Sequence, residues 1–183
     1  MVDVRPMKTL VLLRHGKSSW DDPALRDFDR PLKRRGRVAS ALMGKELRLR
    51  DVGVELVIAS PARRVVETME HLKEGFGEPL QIRFVEEVYD GSAGTLLNIL
   101  RNLDDGVGKA LLVGHNPGLQ RLVVDLAAER DPLRPVVAEH YPTAALALLQ
   151  LPTNNWAKLR PGTGRVTDFL KPRDFTKGQP KLK

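Results

Sequence analysis

Apolar residues in this chain fall into short runs and helical stripes that alternate from one end to the other. Runs at 9–13, 56–59, 81–85, 110–113, 144–151 and, more weakly, 166–170 have strand length and the branched, leucine-rich content of buried strands. Between them the period lengthens. Leu119, Leu122, Val123, Leu126 and Ala127 follow the i, i+3, i+4, i+7, i+8 rhythm of an amphipathic helix, and less regular stripes place helices at 32–50, 61–73 and 96–103. Strands that alternate with helices predict an α/β fold of three layers, a mostly parallel central sheet covered by helices on its faces. The pattern stops near residue 170. Residues 171–183 carry five basic residues, two prolines and a glycine, and are expected to form an exposed, poorly ordered basic tail behind a single domain spanning 1–170.

The polar residues that end these runs carry the chemistry. The first apolar run stops on Arg14-His15-Gly16, so a cation and an imidazole stand at the carboxyl end of a strand, where open α/β sheets bind ligands. Two later runs end on Ser60-Pro61 and on Gly114-His115-Asn116-Pro117. Ser and Asn are good helix N-caps and Pro is favoured at the first helical position, so both junctions are expected to turn sharply from strand into helix. Helix starts attract anions through free N–H groups and the helix dipole. In a parallel sheet Arg14, His15, Arg64 and His115 gather on one edge as an anion pocket.

Composition narrows the classes that remain. A chain of 183 residues with 42% apolar residues suits one domain with a sizeable core. No run approaches the roughly 18–20 apolar residues of a membrane span, and the N-terminus shows no signal-peptide pattern. The absence of cysteine excludes disulfides and thiolate chemistry, and fits a reducing cytoplasm. A net charge of +7 suits anionic partners, either a phosphorylated protein or a small phosphate ester, with nucleic acid the weaker reading. The oligomeric state is not legible.

Side-chain chemistry then says what such a pocket does. Two guanidiniums grip phosphate oxygens and neutralise charge as it redistributes. A neutral imidazole can attack phosphorus and form a phosphohistidine that water hydrolyses, which divides one hard step into two. A second histidine, if protonated, adds positive charge at the equatorial oxygens, and a pocket for a dianion is expected to favour that form. The three segments, Arg14-His15-Gly16, Ser60-Pro61 with Arg64 and Thr68, and Gly114-His115-Asn116-Pro117, resemble the signature of the histidine phosphatase (phosphoglycerate mutase-like) superfamily over roughly residues 8–150. The stretch Lys17-Ser18-Ser19-Trp20-Asp21-Asp22, with Asp27-Phe28-Asp29-Arg30-Pro31-Leu32 and Arg35-Gly36-Arg37, is similar to the compact SixA-like branch, whose named members are protein phosphohistidine phosphatases. The resemblance implies a nucleophile at His15, phosphate ligands at Arg14 and Arg64, a second pocket histidine at His115, and substrate contacts at Ser18 and Asn116. It implies no metal and no cofactor.

The chain also departs from larger relatives. Asp21 stands where mutases carry an asparagine near the phosphate; an aspartate there is expected to turn outward or to pair with a rim arginine such as Arg26 or Arg30. Glu86 and Glu87 lie about where larger relatives place a proton donor, without the surrounding pattern, and plain solvated charge is the competing reading. Little chain remains to build a cap, so the site is expected to be shallow and open. His71 and His140 lack a motif and read as structural or exposed, and Trp20 as a rim or packing residue. A phosphohistidine phosphatase is the leading reading. A broad phosphomonoesterase competes closely, and a non-catalytic phosphate- or nucleic-acid-binding protein is the alternative from another class.

Overall fold

The computed structural model describes residues 7–176. Its centre is β1 (Lys8–Arg14), where Leu10, Val11, Leu12 and Leu13 are all buried. A strand apolar on both faces needs a layer on each side. Leu10 and Leu12 face one core with α3 (Ala93–Arg101), α4 (Gly118–Leu126) and Val137 of α5 (Arg134–Glu139). Val11 and Leu13 face the other, against Met43 and Leu47 of α1 (Arg34–Leu49) and Val65, Met69 and Leu72 of α2 (Arg63–Phe76). Alternation of side chains along the strand thus divides one apolar run between two cores.

β1 pairs in parallel with β4 (Lys109–Gly114), β4 with β2 (Leu56–Ala59), and β2 with the edge strand β3 (Ile82–Phe84). On its other side β1 pairs antiparallel with β5 (Leu146–Leu151), which pairs antiparallel with β6 (Arg165–Leu170). The six strands lie in the order β3-β2-β4-β1-β5-β6. The expected mostly parallel, three-layer α/β fold is what forms. The register that pairs Arg14 with Gly114 and Ala59 with Val113 brings the ends of β1, β2 and β4 level at one edge.

Several expectations shift. Ser60 does not cap α2: the helix starts at Arg63 behind Ala62, and the Ser60 hydroxyl accepts from the Ala62 N–H inside the pocket wall. Asn116 does not cap α4 either: the helix begins at Gly118 behind Pro117, and the Asn116 amide donates to Gln120 Oε1 and to the Tyr141 carbonyl. The short α5 was not legible, since six residues are too few to show a period. Pro172–Phe175 forms a further helix, α6, where the tail was expected to begin; Phe175 packs against the α1 side of the core. The remainder of that tail, 177–183, lies outside the described residues.

Helices α1 and α2 cross at van der Waals contact because Gly75 has no side chain. A Cβ there would lie 1.8 Å from the Ala41 carbonyl oxygen. Gly75→Ala is therefore expected to lower Tm by roughly 3–10 °C, the effect of about 1–3 kcal/mol of overpacking in a domain of this size. Gly94→Ala in α3, whose Cβ would meet only Ser92 Oγ at 3.7 Å, is expected to leave Tm unchanged or raised. Thermal unfolding of the two variants side by side checks the contrast.

Candidate active site

Arg14 ends β1 and His15 follows it, and the chain can bend away at once because residue 16 is glycine. A Cβ on Gly16 would sit 2.8 Å from the Gly36 carbonyl oxygen and 2.9 Å from Ser40 Oγ. The Gly16 N–H donates to Thr68 Oγ1, at 2.9 Å, while the Thr68 hydroxyl donates to the Arg64 carbonyl in α2. One threonine thus ties the loop after β1 to the helix that carries Arg64. Arg14 Nη1 donates to the Tyr141 carbonyl at 2.8 Å, which fixes the guanidinium's direction. His15 Nδ1 lies 2.7 Å from the Gly16 carbonyl oxygen. A carbonyl only accepts, so Nδ1 carries the proton and the Nε2 lone pair is left for chemistry.

Arg64 and His115 form the opposite wall. Arg64 Nη2 lies 3.1 Å from His115 Nδ1, and since a guanidinium only donates, Nδ1 is the acceptor and Nε2 carries the proton, donating to Ser60 Oγ at 2.9 Å. The two imidazole centroids are 5.1 Å apart. Burial pushes His15 down to about 4 and His115 down to about 3; the charge of Arg64 and Arg14 adds to both shifts. Both rings are therefore neutral at pH 7. His115 differs here from the protonated form expected of it, because desolvation and two neighbouring guanidiniums disfavour a third positive charge. Burial and Arg64 also lower Arg14 from its ordinary value.

Asp27 supplies the missing negative charge, and its role was not foreseen. Its carbonyl accepts from Arg64 Nη1 at 2.6 Å, and its Oδ2 accepts from Arg64 Nη2 and from the Tyr89 hydroxyl, each at 3.0 Å. Partial burial works to raise the Asp27 carboxyl, yet the bonds from Tyr89 and Arg64 outweigh it and hold the group below the usual carboxylate range. Tyr89 stands edge-on to His115 with centroids 5.4 Å apart, and Phe28 stands edge-on to Tyr89. Behind Asp27, the Arg30 guanidinium stacks 3.7 Å over Trp20, and its Nε and Nη1 are buried without a hydrogen-bond partner. Two guanidiniums with directed donors around a free imidazole nitrogen can bind a tetrahedral oxyanion and attack it.

Comparison with known proteins agrees with that geometry. The family model described as "Histidine phosphatase superfamily (branch 1)" matches residues 10–96. The phosphohistidine phosphatase SixA of Escherichia coli is 30% identical over 123 residues, covering 66% of this chain and 75% of that protein. The chain belongs to the histidine phosphatase superfamily, in its SixA-like branch. An uncharacterized protein of Mycobacterium tuberculosis is 32% identical over 88% of this phosphatase and 100% of its own length. Among solved structures, a protein assigned as a SixA phosphohistidine phosphatase from Nakamurella multipartitia superposes with a TM-score of 0.80 at 26% identity, covering 91% of this chain and 96% of that one. The protein histidine phosphatase SixA complexed with tungstate gives a TM-score of 0.75 at 26% identity, covering 91% and 99%.

The remaining candidates of the phosphatase sit apart from this cluster. Glu86 and Glu87 are exposed in a 3-10 turn, Glu86–Val88, and touch none of the four pocket residues; Val88 and Tyr89, which follow, point inward instead. Ser18 is buried and pairs its backbone with Leu32, which shapes the rim. Asn116 donates to Gln120 Oε1 and to the Tyr141 carbonyl that also holds Arg14. Its Oδ1 is buried without a partner. Asp21 turns outward as expected, but it pairs with Lys33 at 2.8 Å, while Arg26 pairs with Asp29 and Arg30 stacks on Trp20. His140 is exposed and His71 pairs with Glu74, both outside the pocket.

The depressed imidazoles make stability depend on pH in a defined direction. An unfolded histidine takes a proton near pH 6.5, whereas folded His15 and His115 take theirs only near 4 and 3, so the unfolded chain binds more protons in between. Their contribution is fully present above about pH 6.5 and is lost as pH falls towards 4. Denaturant midpoints measured from about pH 7.5 down to about pH 5 are expected to decline, with a shallower slope in His15→Asn and His115→Asn. An unchanged slope in both variants contradicts the assignment.

Proposed function

We propose that this phosphatase removes phosphoryl groups from histidine side chains of protein substrates, through a phosphohistidine intermediate on His15. One observation carries the mechanism: the Gly16 carbonyl holds His15 in the Nδ1–H tautomer, which leaves Nε2 as a neutral nucleophile between Arg14 and Arg64. A phosphoryl group gripped by the two guanidiniums is attacked by Nε2, and charge moves onto oxygens that already face donors. Arg64 exchanges its bond to Asp27 for one to the substrate. The arriving dianion reverses the local field that keeps His115 neutral, so His115 gains a proton in the complex and adds a third donor. Water then attacks the phosphohistidine from the open side and releases inorganic phosphate.

The substrate reading draws on the rim. With Glu86 and Glu87 outside the pocket, leaving groups that depart readily suit it best, and phosphoimidazole is one. Beside the site lies a groove of about 650 Å³ in which Asp21 pairs with Lys33 while Arg34, Arg35 and Arg37 leave a net positive lining, a surface suited to an acidic protein carrying the phosphohistidine. The SixA proteins, similar in sequence and fold, are named for that substrate, and one is complexed with tungstate, a tetrahedral oxyanion like phosphate. Among the described residues no helix is long and apolar enough to cross a membrane. We propose the cytoplasm as this phosphatase's place of work, a reading that a chain without cysteine to oxidise fits.

The test is a comparison of kcat/KM on a phosphohistidine peptide, a sugar phosphate and p-nitrophenyl phosphate. The phosphohistidine peptide is expected to be preferred. His15→Ala is expected to abolish turnover, and Arg64→Ala to lower kcat by roughly 10²–10³-fold. A sugar phosphate preferred over the peptide contradicts the substrate, and a fully active His15→Ala contradicts the mechanism.

A further inference from the structure

The four pocket residues have no obvious source for the proton that a leaving group needs, since Glu86 and Glu87 are exposed and neither hydrogen-bonds to them. Among the described residues one carboxylate touches that cluster. Asp27 is bonded to Arg64 through both its carbonyl and its Oδ2, and its side chain is 47% exposed at the mouth of the pocket, on the solvent side of Arg64. Its Oδ1 lies 3.8 Å from Arg30 Nε. That nitrogen is buried and has no hydrogen-bond partner, so Arg30 holds an unused donor directly behind the carboxylate. The Arg30 side chain is 11% exposed, with its guanidinium over the Trp20 ring, so its own burial holds it in place while the more exposed Asp27 moves.

We propose that Asp27 is the proton-transferring carboxyl of this reaction, passed from Arg64 towards Arg30 when a phosphoryl group takes its place. The inference rests on the phosphatase reading above and adds to it the group that serves the leaving atom. A phosphoryl oxygen and Asp27 Oδ2 compete for the same Arg64 Nη2, so substrate binding displaces the carboxylate, and Tyr89 and Arg30 remain as its donors. A dianion placed beside a carboxylate raises its proton affinity, so one proton is taken up from solvent as the substrate binds and is shared between Asp27 and the phosphoryl group. In the first step the His15 Nε2–P bond forms, the bond from P to the leaving atom breaks, and the Asp27 proton goes to the leaving oxygen of an ester. With a phosphohistidine substrate it goes to the other ring nitrogen, so that imidazole departs neutral. In the second step water attacks phosphorus, the P–Nε2 bond breaks, and the water's proton returns to Asp27. The charged and titratable groups that face Asp27 throughout are Arg64, Arg30 and Tyr89, with His15, His115 and Arg14 in the same field.

The experiment compares wild type, Asp27→Asn and Asp27→Glu on p-nitrophenyl phosphate, whose leaving phenolate needs no proton, on an alkyl phosphate, and on a phosphohistidine peptide. Asp27→Asn is expected to lose roughly 10²–10⁴-fold more in kcat on the alkyl ester than on the nitrophenyl ester, whose own loss reports the changed partner of Arg64 alone, with Asp27→Glu recovering part of the difference. On the phosphohistidine peptide its loss is expected to be larger at about pH 8 than at about pH 6, where the ring carries its own proton. Equal losses on the nitrophenyl and alkyl esters, or no loss on either, overturn the role of Asp27 while leaving the phosphatase reading in place. Wild type inactive on all three substrates overturns both.

Discussion

This molecule depends on holding two guanidiniums and two imidazoles together at one edge of the sheet, mostly out of water. Like charges so close repel strongly where the effective dielectric is low, and each buried ion also loses its hydration. The chain meets this constraint in two ways. His15 and His115 are kept neutral, with their protons committed to the Gly16 carbonyl and the Ser60 hydroxyl. The charge of Arg64 is met by the carbonyl and carboxylate of Asp27. In the proposed reaction a tetrahedral anion takes the place of Asp27 at Arg64 and draws a proton onto His115, so the same donors serve the pocket without it and with it.

The fold is the means by which that cluster is assembled from distant sequence. Parallel pairing brings the carboxyl ends of β1, β2 and β4 level, and the two cores on either side of β1 fix α2 and α4 against it. Short polar ties then set angles. Thr68 links Gly16 to α2, and the Tyr141 carbonyl holds both Arg14 and Asn116 while its hydroxyl donates to the Leu12 carbonyl inside the core. Ala144, with φ at 58°, donates its N–H to the carbonyls of Arg14 and His15, so the turn before β5 completes the wall at some conformational cost.

Strands and pocket cations were legible because they rest on local signals. A doubly buried strand must be a continuous apolar run, and a charged residue at its end must serve something, so Leu10 to Gly16 announced both the core and the site. Arg64 and His115 followed from the junctions even though the helix starts slipped by one or two residues. The slips have a cause: Ser60 and Asn116 are engaged by His115 and by Gln120 and Tyr141, so neither is free to cap. Asp27 was not legible. Its importance lies in a contact with α2 across 37 residues of sequence, and an acidic residue in an acidic and basic loop carries no mark of that pairing. The neutral state of His115 was hidden for the same reason, since it follows from burial and from where the guanidiniums point. Glu86 and Glu87 show the converse: the right residue type near the right place, turned to solvent by a 3-10 turn that aims Val88 and Tyr89 inward.

The central claim is that His15 Nε2 attacks phosphorus, and it is tested most directly by isolating the covalent enzyme. A slow phosphoryl donor mixed with enzyme, quenched under alkaline conditions and mapped by mass spectrometry, is expected to show one phosphoryl group on His15, labile to acid and stable to base. Magnetic resonance of the same species is expected to place it on Nε2. A phosphoryl group on another residue, or turnover at full rate with no phosphorylated His15 at any quench time, contradicts the account.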